Sequence, residues 1–264
     1  MRSIQEAQRI VVKVGTSTLT HATGKTNLRR VSRLVAVLAD LHNAGREVVL
    51  VSSGAIGVGV GKLGLPDRPR DTRGKQAAAA VGQCELMSLY SKLFGEYGNV
   101  VGQLLLTRDD VDNPQRRENL VNTFTKLFEY GAVPVINEND SVSTEEIGNS
   151  TFGENDALAT IVAKLIHADA LLFLTDADGL CTGNPAEDES AVLLPVVNRV
   201  TEDILALAGS SGTLRGSGGM ITKLQAAKSA TEAGIDTVIL NGTQPENLYQ
   251  LFEGRQIGTW FKRC

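Results

Sequence analysis

The sequence predicts an α/β fold, a three-layer α/β/α sandwich around a central, mostly parallel sheet. Short β-branched runs recur along the chain, they are apolar at successive positions, and each is followed by a longer stretch with helical spacing. Strands apolar on both faces need cover on both faces. Right-handed crossovers between parallel strands supply that cover as helices on either side.

The first expected strand is 9–14. A helix follows over about 26–44, with Leu28, Val31, Leu34, Val35, Leu38 and Leu41 at helical spacing and Gly45 as its stop. The second strand is 47–51, followed by a glycine-rich stretch and a long helix over about 72–97. Then come a strand at 100–106, a helix at 114–130 with proline in its first turn, and a strand at 132–136. A helix at 155–167, a strand at 170–174, a helix at 219–233 and strands at 237–240 and 257–261 complete the pattern. No repeat, low-complexity tract or Pro-, Ser- or charge-rich linker divides the 264 residues, so a single domain is expected.

Composition excludes several classes. With 26 Lys and Arg against 30 Asp and Glu the formal net charge is −4, and aromatic residues are 5%. A nucleic-acid binder carries a basic excess and stacking platforms, so no nucleic-acid partner is expected. A hydrophobic content of 42% is too high for a mainly disordered chain. Cys84, Cys181 and Cys264 contain no Cys-x-x-Cys pair, which excludes a disulfide framework or cysteine zinc site and fits a reducing cytosol. Cys84 lies in an apolar helical stretch and reads as a buried, inert thiol. No apolar run reaches the ~18 residues of a membrane helix, and the polar N-terminus lacks a signal-peptide core. A cytoplasmic protein without a membrane partner is the expectation.

In open parallel sheets the ligand sits outside the carboxyl ends of the strands. Those ends carry Lys13-Val-Gly-Thr-Ser-Thr, Ser52-Ser-Gly-Ala, Asn137-Glu-Asn-Asp and Thr175-Asp-Ala-Asp-Gly, and Gly216-Ser-Gly-Gly-Met-Ile-Thr-Lys opens a helix. Several other patterns lead elsewhere. Gly59-Val-Gly-Lys-Leu-Gly64 fits a dinucleotide fingerprint but starts too far past its strand and lacks the acidic ribose contact. Gly24-Lys25-Thr26 resembles the end of a P-loop, yet Leu19 stands where the first glycine belongs. His21, His42 and His167 share no motif and read as caps or surface positions. Arg68, Arg70, Arg73 and Lys75, interrupted by Asp67 and Asp71, read as a solvated loop or subunit contact.

Lys13 and Lys223, each beside glycine-rich backbone, suit phosphoryl transfer, which asks a protein mainly for positioning and positive charge. A lysine inside an apolar strand needs an anionic partner, and the helix opened by residues 216–222 offers N–H groups to phosphates. Each residue also has an ordinary reading: Lys223 as a solvated helix lysine, Asp156 as a first-turn helix acid, and Asn137, Asp140 and Asn155 as turn formers. Taken together the residues indicate a phosphate-handling enzyme.

The runs VVKVGTS, VSSGAIGVG, KQAAAAVGQ, QLLLTRDD, PVINENDSV, FGENDALA, LTDADGL and GSGGMITKLQAA, in this order over about 9–261, resemble the amino acid kinase family, and within it the branch that phosphorylates glutamate. The resemblance implies transfer of the γ-phosphoryl group of ATP to the side-chain carboxylate of L-glutamate, the first step of proline synthesis. It implies Lys13, Lys223 and Asp156 as the catalytic group, with Asp156 orienting the lysines rather than acting as a base. Ser53, Asp140 and Asn155 would hold glutamate. Lys13, Thr175, Asp176, Ser217, Gly218, Gly219, Met220, Ile221, Thr222 and Lys223 would hold the nucleotide, with a substrate-binding N-terminal lobe and a nucleotide-binding C-terminal lobe. Mg²⁺ would be held mainly by ATP phosphates and water, with no protein ligand assigned. The resemblance further implies a homo-oligomer, dimer or tetramer, feedback inhibition by proline, and a reductase as functional partner. Ser217 replaces the branch's usual threonine, and Glu154 its usual aspartate. The chain stops just after this region, so the RNA-binding-like PUA module of many members is expected to be absent. Other readings of the same residues are a kinase of aspartate or N-acetylglutamate and a nucleotide-binding sensor without turnover.

Overall fold

The computed structural model describes residues 4–21, 24–142, 154–185, 187–208 and 219–264. Its strands are β1 (Arg9–Val14), β2 (Glu47–Ser52), β3 (Val100–Leu106), β4 (Ala132–Glu138), β5 (Ala170–Thr175), β6 (Val196–Val197), β7 (Asp236–Asn241) and β8 (Thr259–Phe261). They form one eight-stranded sheet in the order β3-β4-β2-β1-β5-β7-β8-β6. All pairings from β3 to β7 are parallel, and β8 runs antiparallel to β7. The expected three-layer, mostly parallel architecture is therefore present.

The helices are α1 (Thr16–Leu19), α2 (Leu28–Asn43), α3 (Ala55–Leu63), α4 (Thr72–Gly95), α5 (Arg108–Asp112), α6 (Pro114–Glu129), α7 (Glu154–Leu165), α8 (Glu202–Ala206), α9 (Met220–Thr231) and α10 (Asn247–Phe252). Helix starts follow their caps. Asn27 accepts from the Arg30 N–H, so α2 begins at Leu28, two residues later than its periodicity suggests. Asp71 accepts from Gly74 N–H and Asn113 from Gln115 and Arg116 N–H, which set the starts of α4 and α6.

Two apolar cores lie on opposite faces of the sheet, and side-chain alternation along the strands decides which residue enters which. Ile10, Val12 and Val14 of β1 join the core under α2 and α4, whereas Val11 joins the core under α6, α7 and α9. The same parity puts Lys13 on the α7–α9 face. That single alternation brings the lysine to α7 and α9.

The glycine-rich stretch after β2 is a helix, α3, which sequence reasoning did not identify. Glycines at 57, 59 and 61 lower its intrinsic propensity, and packing on α4 supplies the compensation. A Cβ on Gly59 would lie 1.8 Å from the Ala78 carbonyl oxygen, and one on Gly82 would lie 1.8 Å from that of Ala55. The two backbones thus touch where side chains would hold them apart. Within the dinucleotide-like motif Gly59 thus meets α4, Gly61 faces the Gly24 carbonyl, and Gly64 closes α3 in the left-handed conformation (φ 65°).

Cys84 is exposed, contrary to the buried reading. The buried stripe of α4 runs through Gly82, Leu86 and Tyr90, and Cys84 sits two positions off it, on the outer side of the helix.

Gly82→Ala should lower stability by about 2–3 kcal/mol in urea unfolding, because a backbone contact must open. Gly95→Ala, at the end of the same helix with nothing within 4 Å of the added methyl, should be neutral or stabilising by up to ~1 kcal/mol. Equal effects of the two would contradict the packing account.

Candidate active site

The strands end level with one another. Val14 pairs with Ser52 on one side and Leu174 on the other, and Thr175 pairs with Asn241. The segments leaving these ends therefore share one edge of the sheet, as expected.

At that edge Lys13 Nζ lies 2.7 Å from Asp156 Oδ1, and Lys223 Nζ lies 3.2 Å from Asp156 Oδ2. Asp156 comes from the first turn of α7 and Lys223 from the first turn of α9. The Thr222 hydroxyl lies 2.9 Å from Asp156 Oδ2 and 2.8 Å from the Gly219 carbonyl oxygen. All three charged groups are buried, Asp156 to 1% exposure, Lys13 to 7% and Lys223 to 6%. Burial pushes the Asp156 carboxyl up, but the Lys13 and Lys223 charges and the hydrogen bonds from Lys13 and Thr222 outweigh it and hold the group below its usual range.

Such a cluster is poor as a stabilising device, since desolvating three ions costs several kcal/mol each before their attraction returns it. A lysine in the first turn of α9 also stands at the positive end of the helix dipole. Both features are what an anionic ligand would reverse. The three side chains together carry one net positive charge, and a polyphosphate is the matching chemistry.

Beside the cluster runs a chain of neutral polar groups. Asn155 Nδ2 donates to Ser53 Oγ at 2.8 Å and to Asn137 Oδ1 at 3.0 Å, and Asn137 Nδ2 donates to Gln83 Oε1 at 2.8 Å. Ser53 follows β2, and Gly54 after it takes the left-handed conformation (φ 99°) that turns the chain into α3. Among the described residues no side chain caps α3, so its first N–H groups stand beside Ser53 and suit a carboxylate. Adjacent residues of α7, Asn155 and Asp156, thus serve the two halves of the site.

The remaining expected residues fall as follows. Asp140 is half-buried in the turn after β4. Thr175 ends β5 and its hydroxyl donates to exposed Asp176 at 3.0 Å. Gly219 precedes α9 without a side-chain cap, and Met220, Ile221 and Thr222 form its half-buried first turn. Ser217 and Gly218 lie outside the described residues, as does Gly153. Among the described residues, no three His, Cys, Asp or Glu side chains gather as a metal-binding group, and no helix is long and apolar enough to cross a membrane.

Asn137, singled out at a strand's carboxyl end but given no binding role, lies inside β4 and is 2% exposed. Gln83 was missed: it sits on α4, far in sequence from any strand end, and nothing local points to it.

Asp156→Asn should destabilise the protein by about 3–5 kcal/mol at pH 7, because two buried lysines lose their counter-charge. The depressed folded-state carboxyl makes this stabilisation fully present above the unfolded value near ~3.9 and lost as pH falls toward the folded one. Urea unfolding from pH 7 to pH 3 should therefore show the gap between the two proteins narrowing; a constant gap would contradict the account.

Comparison with known proteins adds sequence and fold relationships. The model of the amino acid kinase family matches residues 8–241. A glutamate 5-kinase of Clostridium perfringens is 51% identical over 261 residues, covering 98% of this chain and 97% of that protein. A glutamate 5-kinase of Listeria monocytogenes serovar 1/2a is 51% identical over 260 residues, covering 98% and 94%. Among solved structures, the UMP kinase of Bacillus anthracis superposes with a TM-score of 0.65 at 16% identity, covering 97% of this chain and 96% of that one. An isopentenyl phosphate kinase of T. acidophilum superposes with a TM-score of 0.64 at 18% identity, covering 96% and 100%.

Proposed function

The chain belongs to the amino acid kinase family, and from that premise we propose that it transfers the γ-phosphoryl group of ATP to the side-chain carboxylate of L-glutamate. The products are ADP and γ-glutamyl phosphate, and the reaction is the entry step of proline synthesis. Two named glutamate 5-kinases at 51% identity over nearly their whole length support the substrate. The observation that carries the chemistry is the pair of buried lysines held on one carboxylate.

A carboxylate oxygen of glutamate attacks the γ-phosphorus, and the bond from that phosphorus to the β,γ-bridging oxygen breaks. The electron pair leaves on ADP. No base is required, because the nucleophile is already ionised at neutral pH. Asp156 therefore works as a positioning group that aims two ammonium groups. Lys13, on β1, meets the transferring phosphoryl group, and Lys223, at the start of α9, meets charge developing on the leaving ADP. Mg²⁺ bound to ATP would be held by phosphates and water, with no protein ligand assigned, and would neutralise phosphate charge.

Ser53 and the α3 N–H groups suit carboxylate oxygens of glutamate, and Asp140 suits its ammonium group. Thr175, Asp176 and the segment 217–223 take the nucleotide. The product is a reactive mixed anhydride, which makes a reductase that consumes it the natural functional partner.

With MgATP and hydroxylamine, L-glutamate should give a hydroxamate together with ADP, and aspartate and N-acetylglutamate should not. ATP binding without turnover on any of the three would replace this reading with a nucleotide sensor. Lys223→Ala should lower kcat by about 10²-fold or more with little change in glutamate KM. Asp140→Ala should instead raise glutamate KM by roughly tenfold. Steady-state kinetics of both variants check the assignment, and exchanged phenotypes would refute it.

A further inference from the structure

We propose that Gln83 is a positioning residue for the acceptor amino acid. It acts through a relay of side-chain amides that leaves the Ser53 hydroxyl hydrogen ready to donate to a substrate carboxylate. The proposal rests on the reading of this pocket as the glutamate site.

The polarity of the relay follows from one backbone group. The Glu138 N–H can only donate, and it donates to Asn137 Oδ1 at 2.9 Å. That contact leaves the Asn137 amide one satisfactory orientation, with Oδ1 toward the strand backbone and Nδ2 toward α4. Nδ2 then donates to Gln83 Oε1 at 2.8 Å, so the Gln83 amide is oriented in turn. On the other side, Asn137 Oδ1 also accepts from Asn155 Nδ2 at 3.0 Å, and the same Nδ2 donates to Ser53 Oγ at 2.8 Å. Every amide in the chain is now assigned without choice.

The consequence falls on Ser53. Its oxygen takes a donor from Asn155, and among the described residues its own hydrogen meets no acceptor. A half-buried hydroxyl in that state is a donor waiting for an oxygen, and a carboxylate oxygen makes the strongest such bond. Had the relay the opposite sense, Asn155 would present its carbonyl to Ser53, the hydroxyl would donate to it, and only lone pairs would face the pocket. Lone pairs repel a carboxylate. The direction of the relay therefore selects the sign of charge that the pocket accepts.

Gln83 holds the far end. Asn137 is 2% exposed, so without an acceptor at position 83 its Nδ2 becomes a buried donor with no partner. The Glu138 N–H still holds Oδ1, but the amide tilts about that contact to find a partner for Nδ2, and the bond from Asn155 to Oδ1 is loosened. A glutamate at 83 keeps an acceptor there; an apolar residue does not.

The test compares Gln83→Leu with Gln83→Glu in steady-state kinetics, varying L-glutamate and MgATP separately, with thermal melts to show folding. Gln83→Leu should raise glutamate KM about tenfold, with kcat and ATP KM within about twofold of wild type. Gln83→Glu should stay within about threefold on all three. Gln83→Met, close in shape and lacking the acceptor, carries the same expectation as Leu, so a folding defect in one variant does not shelter the proposal. Unchanged glutamate KM in the apolar variants, equal losses in Gln83→Glu, or a fall in kcat together with a rise in ATP KM, as a general structural defect gives, would each overturn it. The wild-type arm separates the two failures. If wild type forms no hydroxamate from glutamate, the substrate reading fails and the relay's role falls with it; if wild type is active and Gln83→Leu is indistinguishable from it, the relay alone is wrong.

Discussion

The ion cluster of Lys13, Asp156 and Lys223 ties together three elements that are far apart in the chain: a central strand and the first turns of two helices on one face of the sheet. Burying these charges against an otherwise apolar core is expensive, and hydrophobic residues of similar volume would hold the same elements at least as well. Its form makes sense as a site kept ready for a larger anion. Asp156 keeps both ammonium groups paired and aimed while no phosphate is present. When one arrives, lysines already desolvated need little reorganisation to meet it. The surrounding topology follows from this constraint: the lysine must occupy an odd position of β1, and the helices on its face must start where β1 ends.

Adjacent residues of α7 link two chemically different half-sites. Asp156 governs cationic groups suited to phosphates, and Asn155 joins a neutral amide chain suited to a zwitterionic acceptor. In the proposed reading, a single helical turn sets the separation between the group that gives and the group that receives. In-line phosphoryl transfer depends on that separation above all, because the protein contributes mostly geometry and charge to the reaction.

Much of this was legible in the sequence. The buried parallel strands are continuous β-branched runs, and the residues after them are the ones that meet at the sheet edge. Lys13 was conspicuous because a cation in an apolar strand demands a partner. The illegible parts share one cause, which is long-range packing. Helix α3 contradicts its own composition, and close approach of Gly59 and Gly82 to backbone of the neighbouring helix explains why glycine is there. Cys84 lies in an apolar stretch but off the buried stripe of α4. Gln83 enters the site only because α4 passes near β4, and no local pattern encodes that approach. Ser217 and Gly218, which the resemblance implies as nucleotide-binding residues, lie outside the described residues.

The most direct test of the central interaction is a double-mutant cycle on unfolding free energy at pH 7, using Lys13→Met, Asp156→Asn and the pair. If the cluster is a mutually compensated unit, removing Lys13 should cost less once Asp156 is neutral, with a coupling of about 1.5 kcal/mol or more. Effects that add to within about 0.5 kcal/mol would mean that the lysine and the carboxylate are independent. The account of a pre-aimed phosphoryl-transfer cluster would then fail at its base.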